Sequence, residues 1–170
     1  VDEKRVVFKK GRYVVTKEGK FVIKLSEKIK KRLSNFCSRI KIVGSIRRKE
    51  KEPVDVDIVV IPKRKNGREE IVEDLKKIGK YISGGEKRIT FKIGGVQVEI
   101  YLAEIENWGA MLLAYTGSFG NNIGLRSIAK RKGLLLNQYG LFRNGKKIAG
   151  TEKEIFEALG RKYKSPEKRI

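Results

Sequence analysis

Residues 54–61 read Val-Asp-Val-Asp-Ile-Val-Val-Ile. An apolar run this short and this rich in β-branched side chains suits a strand covered on both faces in the centre of a sheet. Asp55 and Asp57 interrupt it. Two residues apart on a strand, their carboxylates project from one face, with Cα atoms roughly 7 Å apart. Buried charges without a partner are costly, so a carboxylate pair in such a run calls for a cation.

Composition narrows the partners. The 170 residues include 41 Lys+Arg against 20 Asp+Glu, a formal charge of +21 with a pI near 10.1. That excess goes beyond solubility and points to a polyanion, with nucleic acid the first candidate. Charge is denser toward the end, where residues 119–170 hold 13 Lys+Arg against 4 Asp+Glu. The chain has no His, which removes His-based catalysis and His-ligated zinc. Its one cysteine, Cys37, excludes an internal disulfide and suggests a reducing setting. No apolar run approaches the roughly 18 residues of a membrane span, and no signal peptide is visible. A soluble, intracellular, monomeric protein without a membrane partner is expected.

Turn and period signals divide the rest. Residues 12–16 and 21–25 flank Lys17-Glu18-Gly19-Lys20 and predict a hairpin. Ile29, Leu33, Phe36 and Cys37 fall at helical spacing, with Ser26 as N-cap. Residues 40–43 predict a strand ending at Gly44, and residues 62–70 a loop. Ile71, Val72, Leu75 and Ile78 predict a helix stopped by Gly79. Residues 88–93 and 96–102 bracket Gly94-Gly95 as a second hairpin, with Gln97, Glu99 and Tyr101 on the polar side of its second arm. Helices are predicted over 104–115 and 121–132. Arg143-Asn144-Gly145-Lys146 is a type I′ hairpin signal, and Thr151 with Glu154 a capping box. The expected class is α/β (α+β), with residues 1–103 forming a sheet-based lobe and 104–170 a mixed basic lobe.

Glu99 is the third carboxylate of interest. If its strand neighbours that of Asp55 and Asp57, three hard oxygen donors converge, which suits Mg²⁺. Two such ions about 4 Å apart can activate an attacking oxygen and stabilise a leaving one. Upstream, Gly44-Ser45 follows a strand and Arg47-Arg48 follows it. Glycine permits close approach, backbone amides with the Ser45 hydroxyl can cradle phosphate, and Arg48 can add charge-assisted contacts. On the helix after Tyr115-Thr116-Gly117-Ser118, Asn122 and Arg126 are four apart and share a face.

In order and spacing, Gly44-Ser45-x-Arg47-Arg48, Asp55-x-Asp57, Glu99, Tyr115-Thr116-Gly117-Ser118 and Asn137-Gln138-Tyr139 resemble the family X DNA polymerases. The resemblance covers about residues 40–170, including a tail from Glu152 to Pro166. It implies a nucleotidyltransferase palm followed by a nucleotide-selecting, DNA-binding lobe. Asp55, Asp57 and Glu99 would be the catalytic metal ligands, for two Mg²⁺ ions with Mn²⁺ able to substitute. Gly44, Ser45 and Arg48 would hold the triphosphate. Ala114, Tyr115, Gly117, Ser118 and Asn122 would form the sugar and base pocket, with a cis Gly117–Ser118 bond. Arg126 would contact the template, with Lys130 and Arg131 also on DNA. Roughly 40 residues precede Gly44, too few for the family's lyase domain and helix-hairpin-helix lobe, so lyase activity is not expected.

Three positions depart from the family pattern. Glu99 stands where Asp is usual, and its extra methylene of about 1.3 Å shifts the third ligand, a displacement that can cost ~100-fold in rate. Val54 stands where Gly is common. Ala114 stands where many relatives carry a bulky residue near the sugar, which predicts ribonucleotide tolerance. The resulting expectation is a template-directed DNA polymerase that fills short gaps in repair, with nucleoside triphosphates and gapped or nicked double-stranded DNA as partners. The alternatives are a template-independent nucleotidyltransferase and a catalytically inactive nucleic-acid-binding module. Lys28, Lys30, Lys31 and Arg32 form either a solvated helix face or a further DNA contact.

Overall fold

The structure, a computed structural model, describes residues 4–170. It divides into two compact units. The first holds the residues up to Ile42 together with Glu50–Leu102, and the second holds Val43–Lys49 and Ala103–Ile170.

In the first unit, β1 (Lys4–Lys9) and β2 (Arg12–Lys17) pair as an antiparallel ribbon that turns at Lys10 and Gly11. The hairpin predicted over 12–25 is therefore displaced, because its second arm is helix. Val22, Leu25, Ser26, Ile29 and Leu33 repeat every three or four residues and are all buried, which makes α1 (Gly19–Leu33) amphipathic. Ser26 is not its N-cap but lies inside it, with Oγ donating to the Ile23 carbonyl at 2.6 Å. The helix stops before Phe36, and Cys37 opens β3 (Cys37–Ile42).

The short α2 (Gly44–Arg47) belongs to the second unit, and β4 (Val56–Pro62) returns to the first. The predicted loop at 62–70 is shorter than expected, because α3 (Gly67–Lys76) begins three residues before residue 70. Gly67 packs so closely on Pro62 that a Cβ there would fall 2.3 Å from the proline ring. Next come β5 (Lys80–Gly84), β6 (Arg88–Ile93) and β7 (Val96–Leu102). The sheet order is β3-β4-β7-β6-β5. Only the β4–β7 pairing within it is parallel. α1 packs on β3 and β4, and α3 on β5. Arg32 joins the two helices through a two-pronged pair with Asp74, at 3.0 and 3.1 Å. This gives Arg32 a structural role, while Lys28, Lys30 and Lys31 stay exposed.

In the second unit, a 3₁₀ turn (Ile105–Asn107) leads into α4 (Trp108–Thr116) and then α5 (Phe119–Arg131). α5 starts two residues earlier than predicted, because the Ser118 side chain caps it by accepting from the Asn121 amide. The strands β8 (Leu135–Asn137), β9 (Gly140–Arg143) and β10 (Lys146–Ala149) form a small sheet, and α6 (Glu152–Ala158) closes the core. Asn144 and Gly145 both have positive φ, at 49° and 79°, as a type I′ turn requires. The Thr151–Glu154 capping box is present. Leu113, Leu125, Ala129, Leu141, Ile155 and Phe156 meet in the core.

Cys37 is 5% exposed, and burial pushes its thiol up to about 12. At pH 8 roughly one thiol in ten thousand would be thiolate, the reactive form. Labelling with a disulfide reagent at pH 8 is expected to be at least ~100-fold slower in the folded chain than in urea. Equal rates would contradict this burial.

Candidate active site

The parallel β4–β7 pairing sets Asp57 alongside Glu99 in register. The two carboxylates that the sequence places 42 residues apart therefore occupy neighbouring strands. Asp55 lies one residue before β4, so the run of paired backbone begins just after it.

Glu99 lies on the same face as Gln97, and its side is buried, with Glu99 4% exposed. Its carboxylate is fully engaged. Oε2 accepts from Arg88 Nε and from Thr90 Oγ1, both at 2.8 Å, and Oε1 accepts from Gln97 Nε2 at 2.8 Å. The cause is local: Thr90 lies directly opposite Glu99 across the β6–β7 ladder, and Gln97 is two residues before it on the same face. Burial opposes ionisation of Glu99, yet these three donors outweigh it and hold the carboxyl below its ordinary value.

Asp57 has the opposite balance. Tyr101 donates a hydrogen bond to its Oδ1 at 3.1 Å. Burial dominates, helped by the charges of Asp55 and Glu99, and pushes Asp57 well above the usual carboxylate range, to about 6. Burial and the Asp57 charge also raise the Tyr101 hydroxyl, which keeps it a proton donor. The Arg88 guanidinium lies 5.4 Å from the centre of the Tyr101 ring and offsets part of the negative charge. Among the described residues, no group of three or more Asp, Glu, Cys or His side chains stands close enough to hold a metal ion.

The remaining predicted site residues fall in the second unit. Gly44 has φ of +64°, a region that disfavours any side chain, and it starts the turn that carries Ser45 and Arg48. Arg48 Nη1 donates to the Thr116 carbonyl at 2.5 Å. Gly117 has φ of +75°, and a Cβ there would fall 2.8 Å from that same Arg48 nitrogen. The Gly117–Ser118 peptide is cis. Ala114 and Tyr115 lie in the last turn of α4, and Asn122 Nδ2 donates to the Ala114 carbonyl at 2.8 Å. A small pocket is lined by Ala110, Leu113, Ala114, Asn122, Arg126 and Asn137, so the helix-face prediction for Asn122 and Arg126 describes neighbours in space. Lys130 and Arg131 are exposed in the last turn of α5.

Several partners of these groups have no role predicted from the sequence: Arg88 and Thr90 around the carboxylates, Gln97 and Tyr101 beyond their place on the polar side of the strand, and Glu152 and Arg169 behind Arg47. The two-residue turn at Gly94-Gly95 is a signal that fixes the β6–β7 register, and it would have placed Thr90 opposite Glu99. No sequence signal links Arg169 to Glu152.

Comparison with known proteins gives the family. The family described as DNA polymerase beta thumb matches residues 111–170. The repair DNA polymerase X of African swine fever virus (isolate Warthog/Namibia/Wart80/1980) is 32% identical over 145 residues, covering 79% of this chain and 83% of the viral protein. The DNA polymerase/3′-5′ exonuclease PolX of Bacillus subtilis is 26% identical over 155 residues, 86% of this chain and 27% of that protein. DNA polymerase IV of Saccharomyces cerevisiae is 36% identical over 98 residues, 56% of this chain and 16% of the yeast protein. The chain belongs to the DNA polymerase X family.

Because burial holds Asp57 at about 6, its negative charge destabilises the metal-free fold above that pH. The folded state binds this proton more tightly than the unfolded chain does. The contribution of Asp57 to stability should therefore fall as pH rises from about 4 to about 6, and stay lower above it. Asp57→Asn is expected to be more stable than wild type in EDTA at pH 8, by about 1–3 kcal/mol, with the gain gone at pH 4. A less stable variant at pH 8 would contradict the assignment.

Proposed function

We propose that this chain is a template-directed DNA polymerase that fills short gaps during repair. The observation that carries this reading is the register of Asp57 with Glu99 on adjacent parallel strands, with Asp55 two residues away. Family membership gives the reaction class, and the +21 charge gives a use for a polyanionic template.

The donor chemistry fits hard divalent cations. All three candidate ligands are carboxylates, and the shift of Asp57 marks a negative charge that the surrounding protein does not balance. Asp55, Asp57 and Glu99 would hold two Mg²⁺ ions, with Mn²⁺ able to substitute. Bound there, the ions would supply Lewis acidity for the attacking and leaving oxygens of nucleotidyl transfer. In that transfer the primer 3′-oxygen bonds to the α-phosphorus, the α-phosphorus–oxygen bond to the β-phosphate breaks, and pyrophosphate leaves. The hydroxyl proton passes to solvent.

The protein's other groups position the reactants. Ser45 and Arg48 would bind the triphosphate, with Gly44 allowing close approach. Ala114, Tyr115, Gly117, Ser118 and Asn122 would receive the sugar and base. Arg126 would reach the template strand, and Lys130 and Arg131 its phosphates. No described helix is long and apolar enough to cross a membrane, and none of these roles needs one.

The direct test is incorporation on a one-nucleotide gapped duplex with Mg²⁺, each dNTP against each template base, beside a single-stranded primer. Insertion should follow the template base and fall by at least ~1000-fold in Asp57→Ala. Addition to the single-stranded primer irrespective of template would instead identify a terminal transferase. No incorporation with Mg²⁺ or Mn²⁺, despite duplex binding, would identify an inactive binding module.

The same assay reads sugar selection. Ala114 presents only a methyl group at the pocket, so dNTP and rNTP uptake should agree within about tenfold. Ala114→Tyr should restore exclusion of rNTPs. A wild-type preference for dNTPs above ~1000-fold, about 4 kcal/mol, would rule out the role given to Ala114.

A further inference from the structure

Phe8 and Tyr13 are 65% and 76% exposed, on a two-stranded ribbon that joins neither of the larger sheets. Strand alternation gives the ribbon two faces. Arg5 and Val7 share one, and both are half-buried. Arg5 Nη2 donates to the Glu52 carbonyl at 2.8 Å and to the Pro53 carbonyl at 2.5 Å. The Arg5 guanidinium also pairs with the Glu52 carboxylate, which accepts from the Gly19 amide at 3.1 Å. An isolated two-stranded ribbon is marginal in water, so these bonds hold it on the first unit.

The other face carries Val6, Phe8 and Tyr13, all exposed. Phe8 and Tyr13 are directly opposite across the β1–β2 ladder. Their rings meet edge to face, with centroids 5.1 Å apart and planes at 62°, which leaves each ring at least one open π-face. Lys10 and Gly11 have φ of 50° and 76°, so the ribbon closes in a tight two-residue turn just beyond the aromatic pair. Lys10 and Arg12 are exposed there. Residues 4–17 hold six Lys+Arg and no Asp or Glu. Charge therefore selects a polyanion as the partner of this face. The rings select its kind. In a duplex the π-faces of each base are covered by its neighbours, whereas unpaired nucleotides offer theirs to aromatic side chains.

We propose that the outer face of the β1–β2 ribbon binds unpaired DNA, with Phe8 and Tyr13 stacking on bases and Lys10 and Arg12 paired with the phosphates between them. The inference takes from the polymerase reading only that the strand is DNA. Gaps and frayed ends expose nucleotides of this kind. Because every base has a π-face, the surface accepts all four bases with little preference. None of the groups assigned to the metals or the triphosphate lies on the ribbon, so it adds grip on the strand without entering the chemistry. Arg5 acts from the opposite face, by fixing the ribbon to the segment that leads into Asp55.

The test is fluorescence anisotropy of the full chain with a labelled single-stranded oligo-dT and with a blunt duplex of the same length. Salt is held at about 0.2 M, where phosphate contacts elsewhere on the chain are weakened. Phe8→Ala combined with Tyr13→Ala should weaken single-strand binding by about tenfold or more, with duplex binding held within about threefold. Phe8→Leu with Tyr13→Leu keeps an apolar cross-strand pair and should lose as much. Tyr13→Phe keeps the ring and should stay within about threefold of wild type. In the wild type, an oligonucleotide carrying iododeoxyuridine should crosslink to Phe8 or Tyr13 on irradiation, as located by mass spectrometry. Single-strand binding unchanged in either double variant, an equal loss on both DNAs, or crosslinks confined to the rest of the chain would overturn the proposal. So would a wild-type dimer that the alanine pair converts to monomer, which would assign the face to a second copy. Gap filling measured beside these separates the two readings. A chain that fills gaps while its double variants bind the single strand as wild type does overturns this inference alone. A chain that fills no gaps yet loses single-strand binding in those variants sustains it and refutes the polymerase reading.

Discussion

The parallel pairing of β4 with β7 is the constraint on which the rest of the first unit depends. Parallel neighbours cannot be joined by a tight turn, so the chain must cross over between them. Here the crossover contains α3 and the edge hairpin of β5 and β6. The pairing is worth little without the surrounding layers, because both strands are buried and their side chains must find apolar cover. Val56, Ile58, Val60, Val98 and Ile100 provide that cover, all at 1% exposure or less. The same register then fixes Asp57 beside Glu99 in the middle of this apolar set. The fold therefore concentrates negative charge where the metal-free chain gains least from it.

Glu99 and Asp57 solve the burial problem differently. Glu99 draws three donors from its own hairpin and is satisfied without a cation. Asp57 has Tyr101 and remains shifted upward. Under the proposed function, an ion at Glu99 would compete with these hairpin donors. In the second unit, a comparable burial problem at Glu152 is met by two arginines, and there the charge is balanced by protein alone. Asp57 in the first unit remains shifted upward, whereas Glu152 in the second is balanced by protein groups and acts as an internal joint.

Much of this was legible in the residues, for reasons that can be named. The Asp55–Asp57 strand was visible because an unbroken β-branched run has few other uses. The Asn144-Gly145 turn and the Thr151–Glu154 box were visible because each depends on contacts within four residues. The start of α1 has the pattern of a strand because Phe21 and Ile23 fill out an alternation, and only the buried Val22-Leu25-Ser26-Ile29 stripe reveals the true period. β5 and β8 lacked any signal, being an edge strand with mostly exposed side chains and a three-residue strand. The partners of Glu99 needed strand register, and those of Glu152 needed contacts 105 and 17 residues away in sequence. Long-range ion pairs carry no local pattern, so the network behind Arg47 emerged only from the three-dimensional arrangement.

The central claim is that the carboxylates of β4 and β7 exist to hold divalent cations. Counting Mn²⁺ bound to the full chain by electron paramagnetic resonance, with a nonhydrolysable nucleoside triphosphate and gapped duplex present, tests it most directly. The account predicts two ions per chain in the wild type and loss of at least one in Asp57→Asn. An Asp57→Asn chain that binds as many ions as the wild type, or a wild type that binds none beyond those carried by the nucleotide alone, would contradict it.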